Sequence, residues 1–147
     1  MKRILVTGAN GQLGTTLKQQ SLGSEDQWVF CGREAIDITD SHSITSFLEK
    51  QNFDFCINCA AYTHVEGAET EIDAARALNV EAVKNLVAAC NEKQITLLHI
   101  STDYVFDGTK KTPYVETDPT APLNQYGKSK LQGEQYIQQN ATAFYII

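Results

Sequence analysis

The sequence lacks a basic segment, a long hydrophobic run and a dispersed set of prolines. Its net charge is −6 over 147 residues, and a chain of this charge is not expected to bind nucleic acid or an anionic membrane surface. No apolar run approaches the ~20 residues that span a membrane as a helix. The start, Met1-Lys2-Arg3, leads directly into an apolar run without a small-residue cleavage site, which is not typical of a signal peptide.

The four cysteines do not form a recognisable metal or redox pattern. Cys56 and Cys59 give one C-x-x-C, but it lies inside an apolar run, whereas a redox motif usually opens a helix. The chain has no second cysteine pair, and its three histidines are isolated, so a zinc site is not indicated. Buried strand cysteines in a reducing compartment are the simpler interpretation, and we expect a cytoplasmic protein without a metal.

Short apolar runs alternate with amphipathic segments along the chain. The runs at 4–6, 28–31, 53–61, 95–100 and 143–147 predict buried strands, and a further short strand is predicted at 35–40. Helices are predicted after residue 14, at 41–50, at 72–90 and at 126–139. This alternation predicts an α/β fold, a Rossmann-type doubly wound parallel sheet, truncated in its last strand. All three prolines fall in the polar loop at 107–122.

A glycine triplet follows the first predicted strand. Gly8, Gly11 and Gly14 give the pattern G-x-x-G-x-x-G and lead into a helix. Such a loop allows a tight turn, a close approach of the backbone to a pyrophosphate and a close contact of helix with strand. The helix start then offers N–H groups and a positive dipole end to phosphates. The loop therefore predicts a dinucleotide-binding site.

Three further segments follow predicted strand ends and have two interpretations each. Arg33 could hold a 2′-phosphate or be an ordinary surface arginine, and Asp37 could meet an adenine or cap the next helix. The small residues at 59–61 allow a ligand close to the backbone, or pack tightly. Ser101-Thr102-Asp103 could offer hydroxyls to a substrate oxygen or form a strand-exit turn. In the long helix, Asn79 is either a boundary residue or a polar anchor.

Tyr126 and Lys130 stand four residues apart in the last predicted helix. This spacing places both side chains on one face. An ammonium near a phenol favours the phenolate and lowers its pKa, so the tyrosine could act as a general acid or base. A solvated helix face is the alternative interpretation of the same spacing.

Taken together, these motifs resemble the extended short-chain dehydrogenase/reductases, and in particular the dTDP-4-dehydrorhamnose reductase family. The resemblance covers essentially the whole chain. It is carried by the glycine loop, by Tyr126-x-x-x-Lys130, and by four stretches at 58–63, 101–108, 116–119 and 122–127: NCAAYT, STDYVFDG, ETDP and PLNQYG.

The resemblance implies NADPH-dependent reduction, with NADH as the alternative, of the 4-keto group of dTDP-4-dehydro-L-rhamnose to dTDP-L-rhamnose in polysaccharide biosynthesis. Tyr126 would supply a proton, Lys130 would hold the nicotinamide ribose, and Thr102 and Asp103 would contact the substrate. Thr102, Tyr126 and Lys130 would form the catalytic group. The implied cofactor-binding residues are Gly8, Asn10, Gly11, Gln12, Leu13, Gly14, Arg33, Asp37, Ile38, Ala60, Ala61, Tyr62, Thr63, Tyr126 and Lys130. A homodimer is compatible with the resemblance.

Two departures from the family pattern affect these expectations. Gly32-Arg33 stands where the family often has an acidic residue, which favours NADPH. The family's sugar-nucleotide domain lies mostly beyond residue 147, so residues 1–147 are expected to form an N-terminal NAD(P)-binding Rossmann domain without the substrate domain. Two alternatives stay open: a non-catalytic regulatory module similar to the regulatory subunit of methionine adenosyltransferase, and another sugar-nucleotide epimerase or reductase.

Overall fold

One five-stranded parallel sheet organises the chain, and the computed structural model describes all 147 residues. The strands are β1 (Arg3–Thr7), β2 (Gln27–Cys31), β3 (Phe55–Asn58), β4 (Thr96–His99) and β5 (Phe144–Ile146). Their order in the sheet is β2-β1-β3-β4-β5. The predicted Rossmann-type α/β fold is confirmed. Since the order reverses between β1 and β3, a crevice is expected at the carboxyl ends of these two strands.

The chain forms five α-helices: α1 (Gln12–Gln20), α2 (Ser41–Leu48), α3 (Ile72–Arg76), α4 (Ala82–Lys93) and α5 (Gln125–Asn140). Polar side chains cap the N-termini of α2 and α5. Asp40 accepts a hydrogen bond from the His42 N–H at 2.9 Å, and Asn124 accepts one from the Gly127 N–H at 2.7 Å, which satisfies donors that a helix start leaves free. None of the helices is both long and apolar enough to cross a bilayer.

The prediction of a strand at 35–40 is wrong, because this segment consists of turns. The Asp37 carboxylate accepts hydrogen bonds from the Thr39 N–H at 3.0 Å and from the Thr39 hydroxyl. A local bond of this kind turns the backbone away from an extended conformation. Ile36 and Ile38, whose alternation suggested a strand, are buried in the core from these turns. The cap of α2 is Asp40 and not Asp37.

The predicted long helix at 72–90 is divided. A π-helical segment, Ala77–Glu81, joins α3 to α4, and the helix continues to Lys93. Here the hydrogen bonds span five residues instead of four, a geometry that is often found at functional sites. Asn79 lies in this segment and is 1% exposed.

The main core lies between the sheet and its helices. Leu5, Cys56 and Leu97 project from neighbouring strands into this core, where Leu86 and Ile137 of two helices meet them. Each of these side chains is at most 1% exposed. Burial of a leucine or isoleucine side chain stabilises the fold by about 1.5–3 kcal/mol. The core therefore fixes the strand ends at which the polar residues described next are located.

Candidate functional site

A cleft of about 560 Å³ opens at the carboxyl ends of β1, β3 and β4. It is the crevice that the reversal of strand order predicts. Most of the residues that the sequence suggested for a cofactor line it. These residues are Gly8, Asn10, Gly11, Gln12, Leu13, Arg33, Ala60, Ala61, Thr63, Tyr126 and Lys130.

The glycine loop forms one wall of this cleft in close contact with the exit of β3. Gly8 has φ +67°, and a Cβ at this position would lie 2.5 Å from the backbone nitrogen of Ala60. Only glycine combines that backbone conformation with so close an approach. The following helix has no side-chain cap at Gly11, and the N–H groups of Gln12 and Leu13 have no acceptor within the chain. The loop therefore presents free donors beside the cleft.

Tyr126 and Lys130 also line this cleft, and both are buried, at 8% and 2% exposure. The solvated helix face that their spacing also allowed is thus excluded. The Tyr126 ring meets the Tyr104 ring edge-on, with 5.6 Å between ring centres. Lys130 Nζ donates a hydrogen bond to the Ile100 carbonyl at 2.6 Å. Burial lowers the pKa of Lys130 to about 8, although the nearby Glu134 carboxylate acts in the opposite direction.

A row of buried polar side chains continues from Lys130 across the sheet. Thr7, Asn58 and His99 are directly paired neighbours at the ends of β1, β3 and β4. The Thr7 hydroxyl donates to Asn58 Oδ1 at 2.8 Å, Asn58 Nδ2 lies 3.1 Å from His99 Nδ1, and His99 Nε2 lies 3.4 Å from Lys130 Nζ. We call these three residues the polar row. Burial, together with the Lys130 charge, lowers the pKa of His99 to about 3.

Asn79 connects the loop after β3 to the helix that carries Tyr126. Its Oδ1 accepts a hydrogen bond from the Tyr62 N–H at 2.9 Å, and its Nδ2 donates to the Tyr62 carbonyl at 3.1 Å and to Ser129 Oγ at 2.9 Å. The Ser129 hydroxyl in turn donates to the Tyr126 carbonyl at 2.7 Å. Asn79 is therefore the polar anchor that the sequence offered as one alternative, although it anchors a loop and α5 rather than the sheet.

A second and more open cavity, of about 1040 Å³, lies beyond Ser101, which lines both spaces. Thr102 and Asp103, suggested for substrate, line the second cavity and not the first. Thr102 Oγ1 accepts a hydrogen bond from the Tyr104 N–H at 3.2 Å and so starts a short 3-10 turn. The Ser101 hydroxyl donates to Glu134 Oε1. Both hydroxyls thus take part in hydrogen bonds within the chain.

Several residues suggested by the sequence lie outside the first cleft. Asp37 is engaged with Thr39 and with Arg33 Nε at 3.1 Å, and Ile38 is buried in the core. The Tyr62 hydroxyl donates to Glu71 at 3.0 Å, and Gly14 is buried under the glycine loop. Other residues line the cleft without having been suggested for a cofactor: Gly32, Glu34, Cys59, Leu78, Ile100 and Ser101.

The polar row was also missed by the sequence-based prediction. A signal for it existed, because Thr7, Asn58 and His99 each stand at or near the end of an apolar strand. The structure contains no group of three or more His, Cys, Asp or Glu side chains placed to hold a metal ion. Cys59 lines the cleft, but burial raises the pKa of its thiol to about 11, which disfavours the nucleophilic thiolate.

Comparison with known proteins extends the structural observations. The family model described as "RmlD substrate binding domain" matches residues 1–147. The dTDP-4-dehydrorhamnose reductase of Burkholderia thailandensis is 48% identical over 132 residues, which are 90% of this chain and 44% of that protein. A crystal structure of such a reductase from Clostridium acetobutylicum superposes with a TM-score of 0.94 at 38% identity, covering 98% of this chain and 51% of the other.

A second solved structure carries a ligand. The dTDP-4-dehydrorhamnose reductase of Bacillus anthracis, described as in complex with NADP, has a TM-score of 0.94 at 35% identity over 99% of this chain and 52% of that one. The chain spans about half the length of these relatives. Since the family model matches every residue and the similarity to several reductases extends over nearly the whole chain, the chain belongs to the dTDP-4-dehydrorhamnose reductase family.

Proposed function

We propose that residues 1–147 are the NAD(P)-binding domain of a cytoplasmic oxidoreductase that reduces the 4-keto group of dTDP-4-dehydro-L-rhamnose to dTDP-L-rhamnose. NADPH is the proposed cofactor, with NADH as the alternative. Family membership and the NADP complex of the Bacillus anthracis relative support this proposal. In this proposal the sugar-nucleotide domain is a separate unit outside residues 1–147.

The first cleft fits a dinucleotide in shape and in chemistry. Gly8 lines the cleft, and the free N–H groups of Gln12 and Leu13 suit a pyrophosphate. Arg33, whose side chain is 81% exposed, is bound only to Asp37 and can turn toward a 2′-phosphate. Asn10, Gly11, Ala60, Ala61 and Thr63, which also line the cleft, are the remaining members of the proposed cofactor site. When bound, the cofactor supplies the hydride.

One observation supports the proposed chemistry. Tyr126 and Lys130 are buried together in the wall of the first cleft, to which Ser101, a residue that lines both cavities, also belongs. In the proposal Tyr126 donates a proton to the oxygen of the substrate keto group. Lys130 holds the ribose next to the nicotinamide, and in its ammonium form it places positive charge near the phenol, which favours proton release. Thr102 and Asp103, which line the second cavity, hold the substrate oxygen and the sugar.

Replacing Tyr126 by Phe in the protein that combines this chain with its substrate domain tests the proposal. Proton transfer by a positioned side chain typically contributes about 10²–10⁴-fold to the rate, so we expect a loss of this order in NADPH oxidation driven by the keto-sugar nucleotide. The dissociation constant of NADPH, measured by fluorescence, should change little. Tyr136→Phe is the matched control, because Tyr136 lies on the same helix and lines neither cavity.

Retained activity in Tyr126→Phe would contradict the role of this residue. Turnover of a different keto-sugar nucleotide in a substrate panel would instead support another reductase or epimerase of the family. NADPH binding without turnover of any substrate, together with a stably associated enzyme, would support the regulatory module.

A further inference from the structure

The polar row has no part in the function proposed above, although it ends on Lys130. Thr7, Asn58 and His99 are each 1% exposed. Buried polar groups are costly unless they are hydrogen-bonded, and here three of them stand side by side on neighbouring strands. Their hydrogen bonds form one connected path that reaches the Lys130 amine. The direction of these bonds can be derived from the fixed donors and acceptors along the path.

The orientation of the Asn58 amide is fixed by a backbone group. The N–H of Ala60, which can only donate, points at Asn58 Oδ1 at 3.2 Å, and the Thr7 hydroxyl meets the same oxygen. The amide nitrogen therefore faces His99, and it donates to Nδ1 of the ring. A neutral imidazole that accepts at Nδ1 carries its single proton on Nε2.

This tautomer directs an N–H at Lys130. His99 Nε2 is 3.4 Å from Nζ, which already donates to the Ile100 carbonyl. An ammonium group has three donors and no acceptor, whereas a neutral amine has a lone pair. We propose that His99 is a positioning residue for Lys130: Asn58 holds its ring as the Nε2–H tautomer, and the ring donates to the unprotonated Lys130 amine.

The other ionisable groups around Lys130 set the balance between its two forms. Glu134, one turn further along α5, attracts the ammonium, but burial of Glu134 raises the pKa of its own carboxyl. Tyr126 and Cys59 line the same cleft. Burial of Lys130 favours the neutral amine, and it brings the pKa of Lys130 to about 8. His99 stays neutral above pH 5 because burial holds its pKa near 3.

The tautomer can be observed directly by long-range ¹H–¹⁵N NMR of the 147-residue chain without any ligand. Between pH 8 and 9, where at least half of the Lys130 amine is neutral, we expect His99 to show an unprotonated Nδ1 and a protonated Nε2. An Nδ1–H tautomer or a doubly protonated ring would overturn the proposal. In Asn58→Asp, whose carboxylate only accepts, Nδ1 should become protonated. Thr7→Val is the matched control, because it shortens the polar row without changing the donor to His99.

The pKa of Lys130 in a variant without His99 distinguishes the effect of a hydrogen bond from the effect of burial alone. His99→Phe makes the surroundings of Lys130 more apolar, so burial alone predicts a further fall in the pKa of Lys130. The proposal predicts a rise of about one pKa unit, since the hydrogen bond donated to the neutral amine is lost. The ¹³Cε shift of Lys130 reports this titration. An unchanged or lower pKa would overturn the proposal, and His99→Leu serves if the Phe variant does not fold.

A link to cofactor binding rests on the proposed function. If the bound ribose takes the ammonium form, NADPH binding takes up a proton, by at most about half a proton at pH 8, where the free amine is half protonated. Titration calorimetry in two buffers of different ionisation enthalpy measures this uptake. Absence of uptake in the wild type, or equal uptake in His99→Phe, counts against the link. Failure of NADPH to bind would reject the proposed function, while the tautomer spectra would still decide the role of His99.

Discussion

Ser101 lines both cavities, but the two are formed by different kinds of structural element. The first cleft is formed by strand ends, by the glycine loop and by buried side chains that make defined hydrogen bonds. The second is lined by the loop at 107–122, by α5, by the edge strand β5 and by Ile147 after it, and Tyr145 and Ile147 are 61% and 69% exposed. Packing and backbone geometry thus specify the first cleft within the chain, whereas the second takes part of its lining from a loop that forms neither helix nor strand. The first cleft should therefore be much more sensitive to small substitutions.

Gly8→Ala should have the largest effect on stability. A left-handed conformation costs a non-glycine residue about 1–2 kcal/mol, and at φ +67° the new Cβ also lies 2.5 Å from the Ala60 nitrogen. Overpacking typically adds about 1–3 kcal/mol, so we expect the free energy of unfolding in urea to fall by about 2–5 kcal/mol. NADPH binding should be lost as well.

Gly23→Ala is the matched control for this substitution. Gly23 also has a positive φ, +84°, but nothing lies within 4 Å of an added Cβ. Only the conformational cost of about 1–2 kcal/mol is expected there. Equal losses in the two variants would mean that the close approach to β3 contributes nothing, and the contrast between the cavities would then disappear.

The polar row makes the first cleft sensitive to acid. Unfolded His99 binds a proton near pH 6.5, whereas the folded ring, with its lowered pKa, binds one only near pH 3. The unfolded state therefore holds more protons between these values, and stability falls as the pH decreases through 6.5. By pH 4 the loss reaches about 3 kcal/mol at 1.36 kcal/mol per pKa unit.

Urea unfolding at pH 7, 5.5 and 4 checks this expectation. His99→Phe should show a clearly smaller loss on acidification than the wild type, while the exposed control His42→Gln should follow the wild type. Parallel curves for His99→Phe and the wild type would show that His99 is not held neutral in the fold.

The same contrast explains which parts of the site could be predicted from the sequence. The glycine loop and the Tyr126–Lys130 pair have fixed spacings, and a fixed spacing determines which side chains share a turn or a helix face. The polar row depends on strand register, which brings together residues some forty to fifty positions apart. The sequence around the π-helical segment does not indicate it. Asn79 is held there by hydrogen bonds to Tyr62 and Ser129, which are distant from it in the sequence. At 35–40, side-chain hydrogen bonds of Asp37 override an alternation that suggested a strand.

The smallest effect on stability is expected in the second cavity, from Asp118→Asn. Asp118 pairs with Lys110 and accepts a hydrogen bond from the Val115 N–H at 2.8 Å. The substitution removes the ion pair but keeps an acceptor for Val115, and ion pairs near the protein surface contribute little to folding. The urea midpoint and NADPH binding should stay unchanged, while trypsin should cleave faster after Lys110 and Lys111 because the loop loses a local restraint. Glu92→Gln, which removes an exposed pair on α4, should leave cleavage unchanged. A drop in the midpoint comparable to that of Gly8→Ala would mean that the loop unfolds together with the first cleft, and the two cavities would then form one cooperative unit.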